Sequence, residues 1–267
     1  VTHIHHCAAV TYGGVDPRRA EAVNVGATRE VLELAESCVH IARVVHWSST
    51  WATGARHGGV TEEDLTEPEG GPIHSTRYRA ERLIREAGVT LPVTILRPSM
   101  IVGDSRTGET ERFDGPYALM LAMLDSPEDV SLPVPGNGNA KLNAVPIDYV
   151  VQAGLLIGNA GEARGKTYHL VDSEPPTVRE VLEKLAELTG RPAPSRVLPE
   201  SVTSALVKTP GLKKLTQAPR ALMEELGRDV VYDDRNARTL LRPAGIECPP
   251  LLDYLSKLLS YMEEQRA

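Results

Sequence analysis

Short apolar runs rich in β-branched residues recur at Val1 to Val10, Ala42 to Ser48, Val93 to Pro98 and Lys166 to Val171, with amphipathic helical stretches between several of them. This alternation constrains the fold more than any other feature, because strands that alternate with helices build a parallel sheet covered by helices. One helix is expected from about Pro17 to Glu36, with Val23, Ala27, Val31, Leu34 and Ala35 on its apolar face. A second runs through GGPIHSTRYRAERLIREAG (Gly70 to Gly88), burying Ala80, Leu83, Ile84 and Ala87 and stopping at Gly88. After Val171 the texture changes. Thr177 and Glu180 form a capping box that opens a helix ending at Gly190, a glycine suited to a left-handed stop. Beyond it, RPAPSRVLPES and KTPGLKKLTQAP are proline-punctuated connections, and an amphipathic helix is expected from Leu251 to about Glu264. The predicted class is α/β: a parallel-sheet domain over residues 1–172 and a smaller, mostly helical C-terminal lobe over residues 173–267.

Composition narrows the partners. The net charge of −7 is spread along the chain without basic blocks, so neither nucleic acid nor an anionic membrane surface is an expected partner. No apolar run approaches the roughly 20 residues of a membrane span. Cys7, Cys38 and Cys248 form neither a C-x-x-C pair nor a spaced framework, which suits a reducing, cytoplasmic setting. His3 and His5 share a strand face while His6 points away, and no carboxylate lies nearby, so no metal site is expected. Two glycine motifs are near misses. GDSRTGET (Gly103 to Thr110) follows a strand as a phosphate loop would, yet Glu109 stands where a lysine is needed; PGNGNAK (Pro135 to Lys141) lies between extended segments and reads as a turn.

Three of the strands finish in small or polar residues: His6-Cys7-Ala8-Ala9, Ser48-Ser49 and Arg97-Pro98-Ser99. In open parallel sheets ligands collect at the carboxyl ends of the strands, so this rim is the candidate site. Read alone, Ser48 and Ser49 either cap the turn after the strand or hold a ligand oxygen, and the residues leave both open.

Taken together, these runs resemble the extended short-chain dehydrogenase/reductase family, which includes NAD-dependent epimerases and dehydratases, and especially its thioester or fatty acyl reductase-like branch. The likeness is carried by HCAAV (His6 to Val10), NVGAT (Asn24 to Thr28), VVHWSSTWATG (Val44 to Gly54), AERLIREAG (Ala80 to Gly88), LPVTILRPSMIVGDSRTGE (Leu91 to Glu109), NAVPIDYV (Asn143 to Val150) and GKTYHLVD (Gly165 to Asp172). The resemblance implies a partial Rossmann-type sheet that binds NAD(P)H and a helical lobe that selects a small-molecule substrate, a carbonyl, acyl thioester or sugar nucleotide. By position, Ala8, Ala9 and Ser48 would lie with the dinucleotide, and Asn24 would take the structural asparagine slot. Ser49 would bond the reacting oxygen, and Pro98, Ser99 and Met100 would border the nicotinamide. Hydride transfer to a carbonyl builds negative charge on oxygen, so such a site needs a hydroxyl donor and a proton source already in place.

Two features set the chain apart from that family. The opening strand matches the family's fourth, and no glycine-rich phosphate turn precedes Val1, so the expectation is a fragment lacking the first βαβαβ half, its uncovered sheet edge open to self-association. The family's Tyr-x-x-x-Lys pair, which aims phenol and ammonium from one helix face, is here Ile73 and Arg77, with the Ala80-Glu81-Arg82-Leu83 run setting the register. Ile73 cannot exchange a proton. Arg77 keeps a positive charge able to meet ribose or phosphate oxygens, although its planar fork differs from a lysine's point charge, and with Ser49 it makes up the candidate catalytic pair. Tyr78 lies five residues on from Ile73, about 140° around the helix, and His74 is expected on an exposed first turn. Two functional readings follow: an NAD(P)-dependent oxidoreductase with a degenerate site, or a non-catalytic relative serving binding or assembly.

Overall fold

The four apolar runs fold as strands of one parallel sheet, β1 (His3–His6), β2 (Arg43–Trp47), β3 (Val93–Pro98) and β4 (Thr167–Leu170), hydrogen-bonded in that order. The computed structural model describes residues 1–11, 15–54, 58–67, 71–129, 131–135, 138–195, 197–198 and 230–266. KTPGLKKLTQAP lies wholly outside these residues, as do residues 136–137 of PGNGNAK and residues 196 and 199–201 of RPAPSRVLPES. Every residue of β3 is buried, the pattern of an inner strand covered on both faces. In register, His6 lies opposite His46 and His46 opposite Ile95, which brings the ends of β1 and β2 together.

Side chains alternate across β2, and the helices follow that alternation. Helix α1 (Pro17–Ala20) leads through a π-helical turn (Glu21–Gly26) into α2 (Ala27–Ser37), which lies beside α3 (Pro72–Ala87). Val44 faces this side, clustering with Leu32, Ala35, Ile84, Leu91, Val93 and Ile95. Val45 and Trp47 face the other side and meet α4 (Ile147–Asn159), where a Cβ added at Gly154 would lie 2.2 Å from the Trp47 ring.

Two local expectations are corrected. A π turn carries an extra residue, and each residue rotates a helix by about 100°, so the inward face after the turn departs from that of an unbroken helix. Val25, Thr28, Leu32 and Ala35 are buried, whereas Leu34, expected inside, is 50% exposed. Helix α3 does end at Gly88, but with φ −61°, so no left-handed turn is involved. Glycine is needed there for room, since an added Cβ would lie 2.9 Å from Val93 Cγ2. Gly190 does take the left-handed stop, φ 66°, closing the helix Val178–Thr189 behind a complete Thr177–Glu180 capping box.

The described chain forms two compact units that interleave along the sequence. The first comprises Val1–Ser99, Tyr149–Val171 and Val230–Glu247; it holds the sheet, a short parallel pairing of Gly58–Val60 with Val230–Tyr232, and the helix Arg235–Leu241. The second comprises Met100–Asp148, Asp172–Asp229 and Cys248–Ala267, so the change of texture after Val171 coincides with one crossing between the units. It is built on helices Tyr117–Asp125, Val178–Thr189 and Leu251–Arg266 around a core that includes Tyr117, Met120, Leu182, Leu185, Leu255 and Leu258, with Met100–Val102 pairing Ala144–Pro146 in parallel.

Candidate functional site

The loop after β1 is held by a single amide. Asn24 Oδ1 accepts from Val10 N at 2.7 Å, and its Nδ2 donates to Val10 O at 3.2 Å and to Thr76 Oγ1 at 3.0 Å, fastening the HCAAV loop between the π turn and α3. Below it, Thr28 Oγ1 donates to Asn24 O at 2.7 Å and lies 3.0 Å from His6 Nε2. Ala8 and Ala9, displayed by this loop, line a small pocket with Asn24, Ser48 and Arg77, together with His46, Trp47 and Ala80. It has room for about one water.

The charges around this pocket fall into two groups. Ser48 Oγ donates to Glu81 Oε2 at 2.6 Å, and Arg97 grips the same carboxylate with Nε at 3.0 Å and Nη2 at 2.5 Å. Arg85 Nε adds a further bond to Glu81 Oε1 at 3.1 Å. Burial alone would raise the Glu81 carboxyl, but Arg97 and then Arg85 and Ser48 hold it below its ordinary value. Arg77 is different: the side chain is half-buried, its Nε is buried without a partner, and it makes no hydrogen bond or ion pair among the described residues. Burial lowers its pKa to about 10, which leaves it cationic at neutral pH. His46 is lowered to about 3 by burial, with His6 and Arg77 adding to the effect, so it is neutral. Its ring lies 5.3 Å from that of His6, and its Nδ1 is also buried without a partner among the described residues.

The remaining expected residues are distributed around this pocket. Ser49 caps the turn Thr50–Thr53, its Oγ accepting from Trp51 N at 3.1 Å. Ile73 leans into an apolar cluster with Val10, Val15, Ala20 and Val23. His74 is half-buried with its ring 5.4 Å from Trp51, rather than exposed, and Tyr78 is half-buried. Pro98 ends β3 in the core, and Ser99 donates its N–H to Leu170 O at 3.1 Å while its Oγ is buried without a partner among the described residues. Met100 belongs to the second unit, packed against its apolar core. Reading the sequence missed Glu81, His46 and Trp47. Glu81 had a usable signal, since it follows Arg77 by four residues and so shares its helix face; His46 and Trp47 had none.

In the second unit, the glycine-containing loop after Val102 has its amides already occupied. Arg106 N and Thr107 N donate to Asp104 Oδ1, and Ser105 donates both N–H and O–H to Asp148, so these amides form no phosphate cradle. No group of three or more His, Cys, Asp or Glu among the described residues is placed to hold a metal. No helix among them is long and apolar enough to cross a membrane.

The profile of the male sterility protein family of NAD-binding domains matches residues 1–154, more than half of the chain. The chain belongs to this family, within the extended short-chain dehydrogenases/reductases. It is 34% identical over 222 residues to sterol demethylase protein B of Methylococcus capsulatus, a match covering 79% of this chain and 62% of that protein. It is 26% identical to fatty acyl-CoA reductase wat of Drosophila melanogaster, over 62% of this chain and 37% of that one. Among solved structures, the terminal R domain from the myxalamid PKS-NRPS biosynthetic pathway aligns with a TM-score of 0.80 and 26% identity, over 99% of this chain and 68% of that domain. UDP-glucuronic acid 4-epimerase from Bacillus cereus in complex with NAD shares the fold, with a TM-score of 0.74 and 20% identity over 100% of this chain and 76% of the epimerase. The chain thus spans 62% and 37% of the lengths of the two sequence relatives named here.

Proposed function

We propose that this chain forms the nicotinamide-side part of an NAD(P)-dependent oxidoreductase acting on a carbonyl, acyl thioester or sugar nucleotide, with a degenerate site that keeps ligand binding and has lost its usual proton donor. One observation carries the reading: Arg77 lines the pocket without a partner among the described residues, while Ile73, four residues earlier on α3, packs among apolar side chains. An unpartnered guanidinium beside two alanines and a fastened loop suits an oxygen-rich dinucleotide. When bound, that cofactor would supply a hydride. The chain's own residues divide the rest of the work. Asn24 fixes the loop, Ala8 and Ala9 let a ligand approach the backbone, and Arg77 offers N–H donors to ribose or phosphate oxygens.

The two serines also separate here. The Ser48 proton is committed to Glu81, whereas Ser49 Oγ accepts a bond from Trp51 N and so retains its own O–H to donate toward an oxygen gaining negative charge. Ser49 is therefore the hydroxyl suited to the reacting oxygen. The second reading, a non-catalytic relative used for binding or assembly, draws on the apolar packing of Ile73.

Fluorescence titration of the chain with NADPH and NADH tests the reading, with saturable binding of at least one expected and little turnover of aldehyde or thioester. The double variant Ile73→Tyr, Arg77→Lys is then expected to raise kcat/KM by about 10²-fold or more, the usual worth of a positioned acid–base group. Failure of both nucleotides to bind would sink the oxidoreductase reading. Binding without any gain in the double variant favours the non-catalytic one.

A further inference from the structure

The buried arginines of the first unit, Arg43 and Arg97, are engaged from within the chain, although Arg43 Nε, like Arg77 Nε, is buried without a partner among the described residues. Arg97 is paired with Glu81 and also donates to Glu62 O at 3.3 Å, while Arg43 donates to Thr94 Oγ1 at 3.0 Å and Ala160 O at 2.7 Å. Arg77 breaks that pattern among the described residues. Arg77 is half-buried with its Nε out of solvent, and a guanidinium held there without a counter-charge gains from an anionic acceptor. His46 lines the same pocket with Nδ1 buried and unpartnered among the described residues, and the remaining lining residues are Ala8, Ala9, Asn24, Trp47, Ser48 and Ala80.

We infer that Arg77 and His46 form a two-point receptor for one oxygen of an anionic ligand, a phosphate or a carboxylate. The inference rests on the reading of this pocket as a ligand site and adds the chemical class that it takes. Arg77 provides the charge and an N–H. His46 contributes no charge, since burial and its neighbours keep the imidazole neutral; with its proton on Nδ1 it is a second donor to the same oxygen. The pair therefore carries a single positive charge in a space of about one oxygen, so the ligand inserts one atom and leaves the rest of its anionic group outside. A lysine at 77 would offer a point charge in place of a fork, so the pairing with His46 is specific to this substitution.

The test follows the ring nitrogens of His46 by NMR at neutral pH, its resonance identified with His46→Gln, while inorganic phosphate, acetate, NADPH or NADH is added. Phosphate is expected to shift Nδ1 saturably. Arg77→Met should abolish that shift, with Arg77→Gln as the second variant and circular dichroism confirming that each is folded. Arg77→Lys should need about tenfold more phosphate for half-saturation. Competition of NADPH with phosphate for the same shift would identify the oxyanion as the cofactor's own; a nucleotide that binds by fluorescence without moving His46, while phosphate or acetate does, would identify a separate small acid. If phosphate moves His46 and neither nucleotide binds, the receptor stands and the oxidoreductase reading falls. If a nucleotide binds and none of the four additions moves His46, or if the shift persists in both Arg77→Met and Arg77→Gln, the receptor is overturned and the oxidoreductase reading is untouched.

Discussion

Arg77 and Glu81 lie one turn apart on the same face of α3, in opposite chemical situations. Glu81 is saturated: each carboxylate oxygen accepts two bonds, from Arg97 and Arg85 on one side and from Arg97 and Ser48 on the other. Arg77 is unsaturated among the described residues, with a buried Nε that finds no partner. A buried group whose bonding capacity is filled by its own chain serves the architecture, here by tying α3 to the ends of β2 and β3. A group with capacity to spare calls for a further partner to explain it, which the receptor proposed above supplies.

The largest test of that contrast is Glu81→Gln. It strands the Arg97 charge in the core, and a loss of about 3–5 kcal/mol of stability is expected, read as a lower urea midpoint. A smaller effect separates the two buried glutamates of this unit. Glu62 accepts N–H bonds from His169 at 3.0 Å, Asn236 at 2.6 Å and Ala237 at 3.1 Å, capping the helix Arg235–Leu241, but has no arginine bound to its carboxylate. Burial raises its pKa to about 7 in spite of those bonds. A folded-state pKa raised above the unfolded value contributes stability that is present in full below the unfolded pKa and is lost as pH rises through the folded one. Wild type should therefore gain stability relative to Glu62→Gln as pH falls from 8 to 4.5, a comparison that cancels the opposing titration of His46 and His169. A gap that does not change over this range would show that the buried charge carries no such cost. The smallest stability effect is expected for Arg77→Met, within about 0.5 kcal/mol of wild type or on the stabilising side, because no bond to a described residue is lost. A loss as large as that of Glu81→Gln would erase the contrast between the two residues.

Much of this was legible in the chain itself. The strand runs at Ala42 to Ser48 and Val93 to Pro98 were recognisable because their shortness and β-branched content set them apart from the longer amphipathic helices beside them. The Thr177 capping box and Gly190 stop were legible for the same local reason. The inward face of the helix after Pro17 was not, since a single extra residue at the π turn rotates everything beyond it. Ala8, Ala9, Asn24, Ser48 and Arg77 line one pocket. Ser49 stands next to it in sequence but is engaged as a cap.

The sequence by itself carried the family resemblance in its motifs and the parallel α/β architecture in its alternating runs, because motif and periodicity are local properties. Only the tertiary structure decided which polar groups are already in use. Ser48 meets Glu81 across 33 residues and Arg97 meets it across 16, whereas Arg77 and His46 share a pocket in which neither Arg77 Nε nor His46 Nδ1 finds a partner among the described residues. Hydrogen-bond capacity is filled by whatever the fold brings within about 3 Å, and that distance has no counterpart in the order of residues along the chain.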